Sequence, residues 1–600
     1  MRKKVRSLVG ILVLGLVLPC LAWGQGAPSA QGGPGSGGVG TAGPPKRQVL
    51  KDLPQVMSGK LVASPPIPHP GDGLTDQERA TQKSLLNLRQ GSPNNGKDIA
   101  PSFLAAVPAL APKGANTPSA NTAFLGQSEG ILTPSDMGLA VNKFFVVQLV
   151  NTNIAVYDKS GTLQAGFPKT LNAFLGLPAT ASTFDPRALY DWINQRFIVV
   201  INEGIFKDFP NGTGFLHLAV SQTSDPTGAW HLYTIASLFA GTNQCPDFPT
   251  LGQDLSGIYI GMNLFTCDST GLHDFVDAHV FLIPKSLAYA GQGLTFWEQF
   301  GLFVNVNGVG VNVDTLQPAN IVNLGDRPRA EFMVNSLNIN FSGGQCFNGC
   351  NELDVWAISN PFGFVSSGPN PEFSLVRVPT SHTYFKTLGA HQPGSNFSVD
   401  AGDPRISGGV VYHAGSLFAS NSTGCIPQCD PAGVVEATTV IWYEIAALTL
   451  DDNGDGHCTG AFLNSCPRIT SASIRQEDCF FCGGFGGDNS GSSYYATLQP
   501  DTENNVTMVF NFSSSGLSPG TVYTSRRVTQ LQNTMHDLGI FLVQNNTFYN
   551  QARWGDYTAT ALDLSNKKRT TMWFSGMFVQ SNGNWGTGIG ANKFVPENEP

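Results

Sequence analysis

From Phe124 onward the chain is built of short runs of β-branched and aromatic residues, many alternating with period two, each closed by Gly, Pro, Asn or Asp. Helical periodicity is nearly absent there. One stretch, FDPRALYDWINQRFIVVINEG followed by FLHLAVSQTSDPTGAWHLYTI (184–235), parses as strand, tight turn, strand, loop, strand, turn, strand. The same grammar recurs at 246–291 and 402–448, in a shorter copy at 134–164 and in a last copy at 553–594. Looser copies at 325–359 and 492–528 fill the gaps.

Repetition of a four-stranded unit predicts an all-β chain closed by radial symmetry, because a ring leaves only short, protected sheet edges. The expectation is a seven-bladed β-propeller over 122–600. The last copy shows only three strands, so an early strand near Thr122–Ile131 should lie beside it and complete the ring.

The N-terminal part has a different texture. Basic residues Arg2, Lys3, Lys4 and Arg6 precede an apolar run and the small-x-small stretch Ala22-Trp23-Gly24, a secretory signal over 1–24. Cys20 is a possible lipid-attachment point, though Pro19 before it suits that processing poorly. Residues 25–121 read as linker, with a disordered Gly/Pro/Ser-rich tether over 25–48. One helix is expected at 76–90, capped by Thr75 with Glu78 and closed by Gly91. No later segment reaches the roughly 18 apolar residues of a membrane helix. The expected location is outside the cell, in the periplasm or on the cell surface, and the expected state is a monomer.

That location changes the reading of the cysteines. Beyond Cys20 there are ten: Cys245, Cys267, Cys346, Cys350, Cys425, Cys429, Cys458, Cys466, Cys479 and Cys482. An even number in an exported chain favours disulfides over thiolate metal sites such as zinc at 458–482, or over CFFC redox chemistry. Most have a near neighbour in sequence, and Cys245 with Cys267 is the wider pair; connectivity within 458–482 stays open. Charge is sparse and acidic, with Lys+Arg 34 against Asp+Glu 43. That excludes nucleic acid, whose phosphates need clustered cations.

Aligning the copies puts an aspartate at the start of each first strand. These are Asp136, Asp185, Asp247, Asp403 and Asp556, with Asp326 and Asp488 as looser members. In a propeller they would ring one mouth of the channel. Either they bond turn N–H groups and arginines (Arg187, Arg329, Arg405, Arg553) and lock the blades, or they hold a cation such as Ca²⁺. A second calcium candidate is DDNGDGHC, where Asp451, Asn453 and Asp455 alternate as oxygen donors; a plain solvated turn is the alternative. Long loops, among them 363–401 and the cysteine-bearing 450–491, are expected on the mouth with the aspartates, where recognition would reside. Their aromatics Phe347, Phe480, Phe481, Phe485, Tyr494 and Tyr495 either face a ligand or cap the core. His273, His279, Asp274 and Asp277 form a further possible metal or acid–base group, and GDNSGSS (487–493) is a weak match to a serine nucleophile turn.

The ordered motifs PSDMGLAV, FDPRALYD, LAVSQTSDPTGAW, PDFPTLG, RWGDYTATALD and NWGTGIG resemble those of secreted bacterial β-propeller repeat proteins, over roughly 124–595. The DPTGAW turn is similar to the Asp-box of sialidase-type propellers. It departs from that box in having Thr227 where glycine is expected, with Gly228 one place late. The resemblance implies a fold and a location and no particular activity. The expected function is binding of an extracellular glycan or protein on the Asp-lined, cystine-rich face. The alternatives are a carbohydrate-active hydrolase or lyase using the mouth carboxylates, and a structural cell-envelope protein.

Overall fold

The computed structural model describes residues 32–33, 35–53, 55, 117–118, 120–129, 133–238, 241, 243–321, 323, 325–337, 349–394, 398–425, 437–451, 467–480, 491–535, 540–543, 547–551, 553–566 and 570–594. The structure is nearly all strand, with helices no longer than Leu171–Leu175 and Lys285–Ala290 among these residues. None of them is long and apolar enough to cross a membrane.

Period-two alternation makes neighbouring segments pair locally, giving successive antiparallel meanders. The first is Gly138–Val141, Phe145–Val150, Asn153–Asp158 and Lys169–Thr170. The second is Ser182–Asp191, Arg196–Ile205, Thr213–Ser221 and Ala229–Ile235. The third is Gln244–Gln253, Gly257–Asp268, Gly271–Pro284 and Leu294–Phe300. The fourth is Gln317–Asn320, Glu331–Ser336, Cys350–Ser359 and Glu372–Tyr384. The fifth is Val410–His413, Ser416–Cys425, Ala437–Asp451 and Arg468–Phe480. The sixth is Ser492–Pro500, Val506–Ser514, Leu517–Arg526 and Ile540–Val543.

A seventh is made of Ala559–Asp563, Thr571–Val579 and Trp585–Asn592, and its fourth strand is Thr122–Ser128, paired antiparallel to Trp585–Asn592. This is the early strand anticipated from the incomplete last copy. First strands pack side by side in chain order, and Ala559–Asp563 packs in turn on Gly138–Val141. Between meanders lie apolar layers holding the fully buried Trp230, Trp356, Trp442, Trp554 and Trp585.

Three sequence expectations need correction. The described part of the proposed tether is not disordered. Ser36–Ala42 pairs along Leu294–Phe300, Lys46–Val49 along Ala229–Ile235, and Gly32–Gly33 along Phe303–Val306. Low hydrophobicity argued for disorder, but an edge strand gains its bonds through the backbone. Here the absent side chains are the point: a Cβ on Gly37 or Gly40 would collide with the Trp297 or Phe296 ring beneath. Residues 1–24, the helix at 76–90 and Cys20 lie outside the described residues.

The fourth meander begins earlier than its looser copy suggested, at Gln317, so Asp326 follows the first strand rather than opening it. GDRPRAEF imitates GDPRISGG, while the true first strand is short and contains Pro318.

Loop placement also differs. Strand alternation defines a lead end, where first strands begin and second strands pass to third, and a turn end, where the other hairpins close. Residues 360–371 join the third and fourth strands of the fourth meander and therefore lie at the turn end, and Glu372–Tyr384 and Arg468–Phe480, expected within long loops, are fourth strands; 452–466 lie outside the described residues. Of the expected loop 363–401, the described residues after Tyr384 belong to the lead end, with the Cys245–Cys267 disulfide.

Candidate functional site

First strands of all the meanders line one axial cavity of ≈ 60 Å³, with Leu139, Ala188, Leu251, Gln317, Val410, Thr497 and Ala559 each supplied by a different meander. That volume accommodates a few waters. Above it, at the lead end, Arg187 bars the way. Its Nε donates to Pro249 O at 2.9 Å and its Nη2 to Ser407 O at 3.3 Å. Its guanidinium lies 3.3 Å from the Tyr557 ring centroid. One side chain thus joins the second, third, fifth and seventh meanders. Arg405 completes the lid, 4.9 Å from the Phe248 ring that Arg187 also faces.

Five of the seven predicted aspartates surround this lid, all buried: Asp136, Asp185, Asp247, Asp403 and Asp556. Asp403 takes a fork from Arg405, Nε to Oδ1 at 2.8 Å and Nη2 to Oδ2 at 2.6 Å. One Nη of Arg553 donates to both oxygens of Asp556, at 3.0 and 2.8 Å. Asp136 accepts the Asp556 N–H at 2.7 Å and the Asn151 amide at 2.6 Å. Asp185 accepts the Phe248 N–H at 3.2 Å.

These bonds follow a rule that the aspartate alignment only partly captured. Each of the first six meanders opens with a residue of positive φ: Asp136, Asp185, Phe248, Thr315, Gly402 and Tyr495. At five of them the N–H is taken by a nearby polar side chain: Gly402 N by Asp400 just before it, at 2.9 Å, and the other four by the preceding meander. Asn151 receives Asp185 N, Asp185 receives Phe248 N, Asn263 receives Thr315 N, and Ser422 receives Tyr495 N. A left-handed residue turns its N–H out of the ladder, and the neighbour satisfies it.

Burial pushes the Asp136 carboxyl up to about 7, helped by the nearby Asp556 carboxylate and opposed by Arg553 and the bonds it accepts. Burial works against the Arg405 charge, yet Asp403, with Asp314 and Asp556, holds that guanidinium above its ordinary value.

Asp314 was missed in the sequence, although VDTL parallels the DFPTL of the third meander. It is the buried acid that opens the fourth meander, and its Oδ1 accepts the Thr315 hydroxyl at 2.9 Å. Asp326 sits instead at the turn end, bonded to His413 Nδ1 at 2.6 Å and Ala414 N at 3.0 Å. Asp488 lies outside the described residues. Of the calcium candidates, Asp451 ends a third strand at the turn end, away from the other acids, and Asn453 and Asp455 lie outside the described residues.

The remaining candidates disperse. His279 is buried against Glu298 at 2.6 Å, while His273 pairs with Asp268 at 2.9 Å on the surface. Asp277 accepts Gly301 N at 2.7 Å, and Asp274 is exposed. Among the described residues no cluster of three metal-binding side chains occurs. Phe480, Tyr494 and Tyr495 are buried and cap the core, with Phe480 edge-on to Phe510. Phe347, Phe481, Phe485 and the 487–490 turn lie outside the described residues. Cys245–Cys267 is a disulfide. Cys350 and Cys425 are also disulfide-bonded, and their expected partners Cys346 and Cys429 lie outside the described residues, as do Cys458, Cys466 and Cys482.

No protein-family profile matches the chain, and no curated protein matches it in sequence. Among solved structures, Trypanosoma rangeli sialidase aligns at 10% identity and TM-score 0.32, over 77% of this chain and 60% of its own. The exo-β-1,3-galactanase 1,3Gal43A from Clostridium thermocellum aligns at 10% identity and TM-score 0.27, over 80% of this chain and 97% of its own. A Dyadobacter fermentans protein of unknown function aligns at 9% identity and TM-score 0.27, over 68% and 94%. The chain spans about 60% of the sialidase length. Likenesses this loose leave the reading to the chain's own geometry.

Proposed function

We infer that the chain is a secreted, monomeric seven-bladed β-propeller that binds an extracellular glycan or protein on its lead end. The observation that carries this is the state of the mouth acids. Asp403 and Asp556 are each committed to an arginine, Asp136 and Asp185 are committed to N–H groups, and Arg187 bars the axis above a water-sized cavity. An enzyme working through these mouth acids needs carboxylates open to a substrate, and buried acids bonded in this way act as lacing. Recognition then falls to the loops standing on that scaffold, where a disulfide lowers the cost of ordering on binding.

The test is a glycan array on the mature protein with and without calcium chelation. Retention of a defined glycan in both conditions is expected, because Asp451, which opens the candidate calcium loop, lies at the turn end. Release of reducing sugar from the retained glycan would replace this reading with the enzymatic one.

A further inference from the structure

The loop between the second and third strands of the second meander, residues 206–212 (FKDFPNG), is fastened from beneath. Phe206 packs into a satellite apolar cluster with Cys245, Phe265, Cys267, Leu272 and Phe275. Asn243 zips this loop to the third meander: its N–H donates to Gly212 O at 3.1 Å and its carbonyl accepts from Cys267 N at 2.9 Å. Gly212 approaches so closely that a Cβ there would stand 2.5 Å from Cys267 O and 2.9 Å from its Sγ. The Cys245–Cys267 bond therefore positions two neighbouring loops at once, 206–212 and the turn 268–273. At the tip, Asn211 N donates to Asp208 O at 3.0 Å.

From this braced loop one ring points away from the protein. Phe209 is 74% exposed, with Lys207, Asp208 and Asn211 exposed around it. In the adjoining turn Asp268 accepts from Thr270 N at 2.7 Å and Oγ1 at 2.6 Å and pairs with His273 at 2.9 Å. The Thr270 hydroxyl and then His273 hold the Asp268 carboxyl well below its ordinary range, so it is an ionised acceptor in neutral solution.

Leaving a phenylalanine in water forgoes the stabilisation its burial would bring. A loop stapled so that the ring stays outside has already met the ordering cost of a contact. The surround is polar, and among the described residues of 206–212 and 268–273 no second large apolar side chain is exposed, which disfavours the apolar centre of a protein interface. A pyranose offers both halves: a C–H face for the electron-rich aromatic face, and rim hydroxyls for carboxylate, imidazole and amide.

We propose that Phe209 and the Asp268–His273 turn form a carbohydrate-binding site, with the ring stacking on a sugar and Asp208, Asn211, Asp268 and His273 meeting its hydroxyls. The assignment rests on the lead end being the recognition face.

The test uses the full mature chain in affinity electrophoresis through β-glucan, galactan, mannan and xylan, comparing wild type with Phe209→Ala, Phe209→Trp and Asp268→Asn. Retardation of wild type by at least one polymer is expected, with Phe209→Ala weakened about tenfold, Asp268→Asn weakened and Phe209→Trp retained. Thermal midpoints should match, since the Phe209 ring is outside the core. Undiminished retardation of Phe209→Ala would overturn the site while leaving the lead end as recognition face. A wild type retarded by none of the polymers and bound to no arrayed glycan overturns both the site and the glycan reading, leaving a protein as ligand.

Discussion

The backbone N–H of Asp556 donates to Asp136 Oδ1 at 2.7 Å, joining residues 420 positions apart where the seventh meander meets the first. The bond is one of a series in which a polar side chain or carboxylate of one meander secures the opening residue of the next. It is also the one with a titratable acceptor near neutrality.

Asp136 therefore gives stability a pH dependence of defined sign. Its folded carboxyl titrates at about 7, against an ordinary 3.8. Between those values the folded chain holds a proton that the unfolded chain has lost, so stability falls as pH rises through the window and levels above it. Asp136→Asn keeps an acceptor for the Asp556 N–H and should flatten the slope. Urea midpoints at pH 5 and pH 8 check this, and equal slopes in both proteins would count against it.

Arg405 neutralises a buried acid. Arg405→Ala strands Asp403 in the interior and should cost about 3–5 kcal/mol, whereas removing Asp403 as well should recover part of that loss. A double-mutant cycle in urea measures the coupling, and simple additivity would show that the fork contributes nothing specific.

The Cys245–Cys267 disulfide closes a loop of sequence separation 22. Replacing both cysteines by serine should destabilise by about 3 kcal/mol through the unfolded chain. It should also raise amide exchange in 206–212 and 268–273, because Asn243 and Gly212 lose the anchor between them. Exchange confined to one loop would mean that they are positioned separately.

Gly40→Val should lift Ser36–Ala42 from its sheet, since any Cβ there strikes the Phe296 ring. Limited proteolysis should then cut within 32–53 while the body keeps nearly its original thermal midpoint. Gly43→Val, with nothing within 4 Å of its Cβ, is the matched control and should stay protected.

What was legible in the sequence was local. Period-two runs marked most strands, and a last copy short by one strand pointed to Thr122–Ser128 because sheet pairing leaves a countable vacancy. What was not legible depended on partners far along the chain. The left-handed opening residue is an aspartate in two meanders and Phe248, Thr315, Gly402 or Tyr495 in others, so an alignment on aspartate saw a recurrence whose rule is backbone conformation. Asp326 was drawn in by a local resemblance to Asp403, and only the position of Gln317–Asn320 reveals Asp314 as the counterpart. The turn D-x-[ST]-G was noticed at Asp225 alone. It also occurs at Asp158, Asp254 and Asp268, where each carboxylate accepts both the N–H and the hydroxyl two residues on. The N-terminal strands escaped because composition describes side chains, and those strands bind through the main chain.

The seventh meander takes its outermost strand from residues 122–128 and its other three from 559–592. A chain emerging amino end first must hold Thr122–Ser128 unmatched until Trp585–Asn592 has been delivered. Closure of this meander is consequently late, and premature termination before Trp585 leaves a sticky margin that invites clumping.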